Sequence, residues 1–344
     1  MIKIAYQLAE TGQFPDSFIR FGIRKLLRQK LEKEHRGGAE ATRERLMAFI
    51  DMLRDSPIAI HTDAANEQHY ELPPVFFQNV LGKYLKYSCC LYTTEQDSLD
   101  TAEESMLALT AKRAGIADGQ DILELGCGWG SLTLWNAEHF PGSRIIAVSN
   151  SGPQREFIMA RAADRGLKNI EVITCDMREF TIDRTFDRVV SVEMFEHMRN
   201  YPELFKRIAG WLRDDGRFFM HIFTHRDVAY PYETTGPDDW MGQHFFTGGI
   251  MPADALPLYF QEHLLIEDHW IVNGKHYEQT SNDWLKKMDA HRETILPVMA
   301  ATYGEADAGK WFQRWRIFFM ACAELWGYAG GEEWFVSHYR FLKR

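Results

Sequence analysis

Three side chains able to handle a proton, Glu193, Glu196 and His197, follow directly on the largely apolar, strand-patterned stretch Phe186–Val192. Residues leaving the carboxyl end of a strand emerge where open α/β sheets bind their ligands. Glu193 and His197, four positions apart, share a face of any helical turn formed there. An imidazole titrates near neutrality and can accept a proton, while a neighbouring carboxylate orients it or attracts a cation. The bland alternative is a solvated acidic pair, and an apolar strand running straight into the cluster argues against it.

A second constellation precedes the first in the chain. Glu124-Leu-Gly126-Cys-Gly128-Trp-Gly130-Ser131 ends an apolar strand and opens a helix, and its glycines let the backbone turn tightly and come close to a ligand. Dinucleotide-binding loops run G-x-G-x-x-G and hold a diphosphate. Here an acidic residue precedes G-x-G-x-G, an order that suits a cationic amino-acid cofactor. Asp176, at the end of a later strand, can accept from an adenine amino group while Met177 packs on the ring, although capping the next helix would also explain an aspartate there. The second strand ends in Ser149-Asn150-Ser151 without the usual ribose-gripping acid, so Asn150 and Gln154 are expected to supply those contacts.

The elements that must position these residues are legible from residue 119 onward. Strands are expected at Asp121–Leu125, Arg144–Ser149, Ile170–Cys175, Phe186–Val192, Arg217–Phe223, Leu264–Val272 and Trp334–Phe341. Helices are expected at Ser131–His139, Gln154–Arg165, Pro202–Leu212, Ser281–Tyr303 and Ala306–Trp326. Strands alternating with amphipathic helices specify a doubly wound parallel sheet. Residues 1–118 read as an N-terminal helical extension capping the substrate site, and 119–344 as the catalytic core. The aromatic stretch at about 230–263 fits no β/α unit and is expected above the carboxyl ends of the strands as a lid. The charged run Arg24 to Arg45 reads as a solvated helix face.

Composition narrows the partners. With 45% hydrophobic residues in 344, the chain can build one large core. A net charge of -10, from 49 acidic against 39 basic residues, disfavours nucleic acid. Five cysteines, with Cys89 and Cys90 adjacent and no paired C-x-x-C spacing, suggest neither a disulfide framework nor a metal site and fit a reducing, cytoplasmic setting. No stretch reads as a signal peptide or stable membrane insertion, and the aromatic surface is compatible with a homodimer.

Four motifs together carry a resemblance: Tyr87-Ser-Cys-Cys90, Leu123-Glu-Leu-Gly-Cys-Gly-Trp-Gly130, Val148-Ser-Asn-Ser-Gly-Pro-Gln154 and Glu193-Met-Phe-Glu-His197. They resemble the cyclopropane fatty acid synthase superfamily, and within it the coclaurine-type N-methyltransferases. The likeness extends through Asn66–Pro73, Phe245–Gly249, Val272–Tyr277 and Gly330–His338. It implies a class I, Rossmann-like, seven-stranded methyltransferase fold that uses S-adenosyl-L-methionine and releases S-adenosyl-L-homocysteine. Glu193, Glu196 and His197 would face the substrate, and Tyr87 and Ser88 would join the cofactor residues. Tyr70, Tyr87, Trp240, Phe245 and Phe246 could surround a cationic or aromatic substrate, although most of these rings could equally be lid core.

Methyl transfer to a small, alkaloid-like amine is the favoured reading. In the lipid-modifying enzymes of the superfamily a bicarbonate acts as base, held by residues that match Cys89, Glu196, His221 and Tyr277, so carbon transfer to an unsaturated lipid chain is the alternative. A non-catalytic cofactor sensor would have no use for the Glu193–His197 cluster. The glycine order and the missing acid after the second strand disfavour a nicotinamide oxidoreductase.

Overall fold

A computed structural model of the chain describes residues 2–60, 72–232 and 240–344. Five strands form the parallel part of one sheet: β1 (Asp121–Leu125), β2 (Arg144–Ser149), β3 (Ile170–Thr174), β4 (Phe186–Val192) and β5 (Leu212–His225). Two further strands, β8 (Leu264–Val272) and β9 (Trp334–Lys343), complete it, and a two-stranded ribbon, β6 (Tyr230–Pro231) with β7 (Ile250–Met251), stands apart. The sheet order is β3-β2-β1-β4-β5-β9-β8, with β9 antiparallel to both its neighbours. This is the doubly wound, seven-stranded class I methyltransferase arrangement expected from the sequence.

The inner strands are buried on both faces, which is why they read as near-continuous apolar runs. Ile122 packs with α5 (Leu99–Ala114) and α6 (Ser131–His139), whereas Leu123 and Leu125 point to the opposite face, against α3 (Gly38–Asp55) and α8 (Tyr201–Trp211). The remaining α-helices among the described residues are α1 (Ile2–Glu10), α2 (Asp16–Glu34), α4 (Pro74–Val80), α7 (Gly152–Asp164), α9 (Trp240–His244), α10 (Lys275–Ala290), α11 (Arg292–Tyr303) and α12 (Ala308–Trp326). Several ends carry their own stops and starts. Ser98 accepts from the Thr101 amide at the start of α5, Gly115 closes that helix at φ +67°, and Asn200 accepts from the Glu203 amide at the start of α8.

Three expectations are corrected in detail. The helix expected over Ser281–Tyr303 starts earlier, at Lys275, and is two helices meeting at His291, where φ is -105° and ψ 23°. Pro297 lies inside the second of these helices, which continues through it although the ring cannot donate to the carbonyl of Glu293, so the break at His291 is not its doing. Strand β5 reaches back to Leu212, past Asp214-Asp215-Gly216, because Leu212 pairs with Phe186 across a register shift. The charged run Arg24 to Arg45 is divided between α2 and α3, and part of it docks within the molecule: Arg24 meets Glu324 at 2.6 Å and Lys30 lies 3.8 Å over the Tyr230 ring.

Candidate active site

The carboxyl ends of β1, β2 and β4, with the segment around 85–88 and the tip of the 230–263 insertion, enclose a cavity of about 1260 Å³ counting its open mouth. All nine residues expected at the cofactor line it: Tyr87, Ser88, Glu124, Gly126, Gly128, Asn150, Gln154, Asp176 and Met177. The glycine loop has a steric reason for its glycines. Gly126 has φ +80°, and a Cβ there would lie 2.8 Å from Met194 Cβ; Gly128 has φ +51° and opens onto free space.

The walls fit a polar cofactor. Four buried side-chain groups that line the cavity, Thr110 Oγ1, Trp129 Nε1, Ser131 Oγ and Gln154 Nε2, have no protein hydrogen-bond partner. Native interiors rarely leave such groups unmatched, so their convergence on one cavity marks a ligand site. Gln154 is held for this by Ser149, whose hydroxyl donates to Gln154 Oε1 at 2.7 Å. Glu124 accepts from the Thr133 hydroxyl at 2.6 Å, and burial pushes its carboxyl up to about 7. Asp176 accepts from the Arg178 amide at 2.8 Å and pairs with the Arg178 guanidinium at 2.8 Å, so it serves as turn former as well as cavity wall.

At the end of β4 the chain passes through Glu193 at φ +47°, a left-handed conformation uncommon for a residue with a side chain and typical of functional sites. Its amide donates to the His221 carbonyl at 2.8 Å. Its carboxylate collects donors from three separate elements. Oε1 accepts from the Cys89 amide at 2.9 Å and faces His221 Nε2 at 3.1 Å, and Oε2 accepts from the Tyr277 hydroxyl at 2.6 Å. Burial raises its pKa, against the pull of Lys86, the Tyr277 hydroxyl and the Cys89 amide. His197 also lines the cavity; burial lowers its pKa to about 4, so the ring is neutral near pH 7.

Glu196 is placed differently from the expectation that all three residues face the substrate. It is fully buried, does not line the cavity, and its Oε1 accepts from the Phe223 amide at 2.7 Å. Burial, reinforced by the charge on Glu193, pushes its pKa well up. The turn Phe195–His197 is 3-10 rather than α-helical, which turns its middle residue inward while Glu193 and His197 both reach the cavity.

The substrate residues divide. Cys89, His221 and Tyr277 all meet Glu193, and the Phe246 ring lies 4.7 Å from that of His197. Trp240 and Phe245, also expected around the substrate, do not line this cavity. Trp240 donates to Glu10 at 2.8 Å, and the fully buried Phe245 stacks on Phe318 at 4.5 Å, both within the helical core. Tyr70 lies outside the described residues.

Sequence reading missed Lys86, Met194, Arg113 and His338. Lys86 is a buried ammonium on the cavity wall that bonds Ser88 Oγ and, at 2.8 Å, the Cys89 carbonyl. Its position directly before the Tyr87 motif was the available signal. His338 bonds His221 at 2.9 Å, and its signal was a histidine sharing a strand face with Trp334 and Val336. Elsewhere among the described residues, His35, His225 and Glu333 each bring one metal-ligating atom type within 4.8 Å of the others. However, His225 Nδ1 accepts from the amides of Asp227 and Val228, which leaves the proton on Nε2, the nitrogen a metal would need.

Comparison with known proteins agrees with this geometry. Residues 59–328 match the family model described as mycolic acid cyclopropane synthetase. An (S)-coclaurine N-methyltransferase of Thalictrum flavum subsp. glaucum is 38% identical over 343 residues, covering 97% of this chain and 94% of the relative. The crystal structure of a coclaurine N-methyltransferase bound to N-methylheliamine and S-adenosylhomocysteine superposes with a TM-score of 0.96 at 36% identity, covering 99% of both chains. The cyclopropane-fatty-acyl-phospholipid synthase of Escherichia coli (strain K12) is 28% identical over 75% of this chain and 63% of its own length. The chain belongs to the mycolic acid cyclopropane synthetase family and is an S-adenosylmethionine-dependent methyltransferase.

Proposed function

We propose that this protein methylates the nitrogen of a small, alkaloid-like amine. The observation that carries this reading is the Glu193 carboxylate among Cys89, His221 and Tyr277. Three of the four positions that the superfamily resemblance assigns to a bicarbonate here hold a carboxylate of the chain itself. A bound bicarbonate does not fit those donors while Glu193 takes them. A carboxylate fixed in a buried wall also attracts an ammonium ion, and an unsaturated lipid chain offers no charge to match it. The relatives named for coclaurine and pavine N-methylation support the amine reading.

Glu124 and the glycine loop, Asn150 and Gln154, and Asp176 with Met177 would hold S-adenosylmethionine, which would supply a methyl carbon activated by a sulfonium. The chain's own task is to deliver the acceptor nitrogen with its lone pair available and to take its proton. Transfer would form the nitrogen–carbon bond as the carbon–sulfur bond broke with its electron pair on sulfur, and a proton would have to leave the nitrogen. We assign that proton to the neutral imidazole of His197, with the Glu193 charge stabilising the resulting imidazolium. Phe246, with Tyr232 edge-on at 4.9 Å and Phe223 at 5.8 Å, would give the substrate an aromatic wall. A cation against each ring face gains roughly 0.5–2 kcal/mol.

We also read residues 1–118 as a helical cap and 230–263 as a lid, since Tyr87 and Ser88 from the first and Thr247 and Gly248 from the second line the cavity. Among the described residues no helix is long and apolar enough to cross a membrane. All five cysteines are free thiols, in keeping with a reducing, cytoplasmic setting.

Incubating the protein with methyl-labelled S-adenosylmethionine and two acceptor sets, benzylisoquinoline-type amines and vesicles of unsaturated phospholipid, tests the reading. Label in the amine is expected. Label in the acyl chains, with none in any amine, would replace it with carbon transfer.

A further inference from the structure

Behind Glu193, His221 leads into two further groups, His338 and Arg113, that do not line the cavity and have had no role so far. His221 on β5 and His338 on β9 are direct cross-strand partners, and both imidazoles are buried. His338 Nε2 lies 2.9 Å from His221 Nδ1, and His338 Nδ1 lies 2.8 Å from Arg113 Nη1, in the last turn of α5. With His221 Nε2 at 3.1 Å from Glu193 Oε1, the four side chains form one continuous line from the half-buried Arg113 to the cavity.

The chemistry of the first member orders the rest. A guanidinium has donors only, so His338 Nδ1 must accept. A neutral His338 then carries its proton on Nε2 and donates to His221 Nδ1. By the same step His221 carries its proton on Nε2 and donates to Glu193. Burial holds both rings neutral, lowering their pKa values well below the ordinary histidine range. Every bond therefore points inward. The line cannot carry a proton outward, because that would require His338 to donate from Nδ1 to a group that cannot accept.

We propose that Arg113 and His338 are positioning residues that lock His221 in its Nε2–H tautomer and relay the guanidinium charge to Glu193, keeping that carboxylate ionised inside a buried wall. The proposal rests on Glu193 serving the reaction, but its central claim is physical and can be read without turnover. Other charged or titratable groups face Glu193. Lys86 and Cys89 approach from the segment before α5, Glu196 and His197 from the turn after β4, Tyr277 from α10 and Cys322 from α12. Lys86 and His269 also bear on His338. None of these bonds to His338 Nδ1, so removing Arg113 leaves them in place.

The test compares Arg113→Met, Arg113→Lys, His338→Asn and the parent protein. Two readouts use the free protein: the 15N shifts of His221, which report its tautomer, and the 13C titration of the Glu193 carboxyl in glutamate-labelled protein. The third is kcat and KM against pH with a turned-over amine. In the parent, His221 Nδ1 should be unprotonated and Nε2 protonated. Arg113→Met should raise the Glu193 pKa by about one unit, move the acidic limb of kcat upward by the same amount, and leave cofactor affinity unchanged. Arg113→Lys, which keeps a cationic donor, should recover most of the shift. Arg113 is half-buried at a helix end, so its variants remain informative if His338→Asn fails to fold. A protonated His221 Nδ1, or a Glu193 titration identical in the parent and Arg113→Met, overturns the proposal. If no amine is turned over while the Glu193 titration shifts as expected, the relay stands and the amine reading falls.

Discussion

The Tyr277 hydroxyl donates to Glu193 Oε2 across 2.6 Å while the Tyr277 ring lies flat on Trp326, 4.8 Å away at 2°. Stacking fixes the ring, and the ring fixes the hydroxyl. Tyr277→Phe therefore removes one donor from the carboxylate without disturbing the wall that carries it. Turnover should fall roughly tenfold, and the acidic limb of the rate profile should move up, because a carboxylate with fewer donors is harder to ionise. A stopped assay across pH 5–9 measures both, and an unchanged limb would remove Tyr277 from the support of Glu193.

His197 is neutral near pH 7 because burial outweighs the favourable charge of Glu193, lowering its pKa to about 4. His197→Ala is expected to lower kcat by roughly 10²-fold while calorimetry finds cofactor affinity unchanged. The sign of the shift gives a second check. An imidazole with an ordinary pKa would lose its capacity to accept as pH drops through 6.5, whereas this one keeps it until near 4. A limb near 6.5 that disappears in His197→Ala would contradict that environment.

Glu196 offers a contrast within the same motif. Burial and the neighbouring Glu193 charge favour its neutral acid, and its Oε1 accepts from the Phe223 amide. Glutamine reproduces the shape, the neutrality and the accepting oxygen. Glu196→Gln should keep activity within about threefold of the parent, and Glu196→Ala, which orphans the Phe223 amide, should lower stability by roughly 1–3 kcal/mol. Chemical denaturation and steady-state kinetics on the pair decide it. A large loss in the glutamine variant would mean that the carboxylate itself is required.

Gly128 combines a left-handed backbone with open space in front of it. A β-branched residue there is strained and would project into the cofactor cavity. Gly128→Val should abolish measurable S-adenosylmethionine binding, and unaltered affinity would show that the cofactor does not approach this loop.

Legibility followed locality. Strands β1, β2, β4 and β8 and helix α6 were readable to the residue, because their apolar runs end at polar or glycine-bearing turns. The glycine loop and Glu193 with His197 were readable because chemistry at the end of a buried strand is unusual enough to stand out. What could not be read depends on contacts between distant segments. His338 meets His221 only through the β5–β9 register, Lys86 reaches the cavity only because of how its segment wraps the sheet, and Glu196 turns inward because the local turn is 3-10. Trp240 and Phe245 were ambiguous for the converse reason. An aromatic run is compatible with either a pocket or a core, and only the packing of Phe245 on Phe318 distinguishes them.

The strongest coupling between fold and ligand lies at Glu124, at the end of β1. Burial holds this carboxyl near 7, against the Thr133 hydroxyl that donates to it. A cationic cofactor favours the ionised form, so binding below that pKa must expel a proton and binding above it need not. Affinity for S-adenosylmethionine should therefore rise with pH, by up to about tenfold per unit below 7, and level off above it. Calorimetry at pH 6 in buffers of different ionisation enthalpy should detect release of up to one proton, falling toward zero by pH 8.5. Glu124→Gln should bind more weakly at pH 8 and lose the pH dependence. If affinity is flat from pH 5.5 to 8.5 in the parent, Glu124 does not sense the cofactor's charge, and its acidic type at the head of the glycine loop needs another explanation.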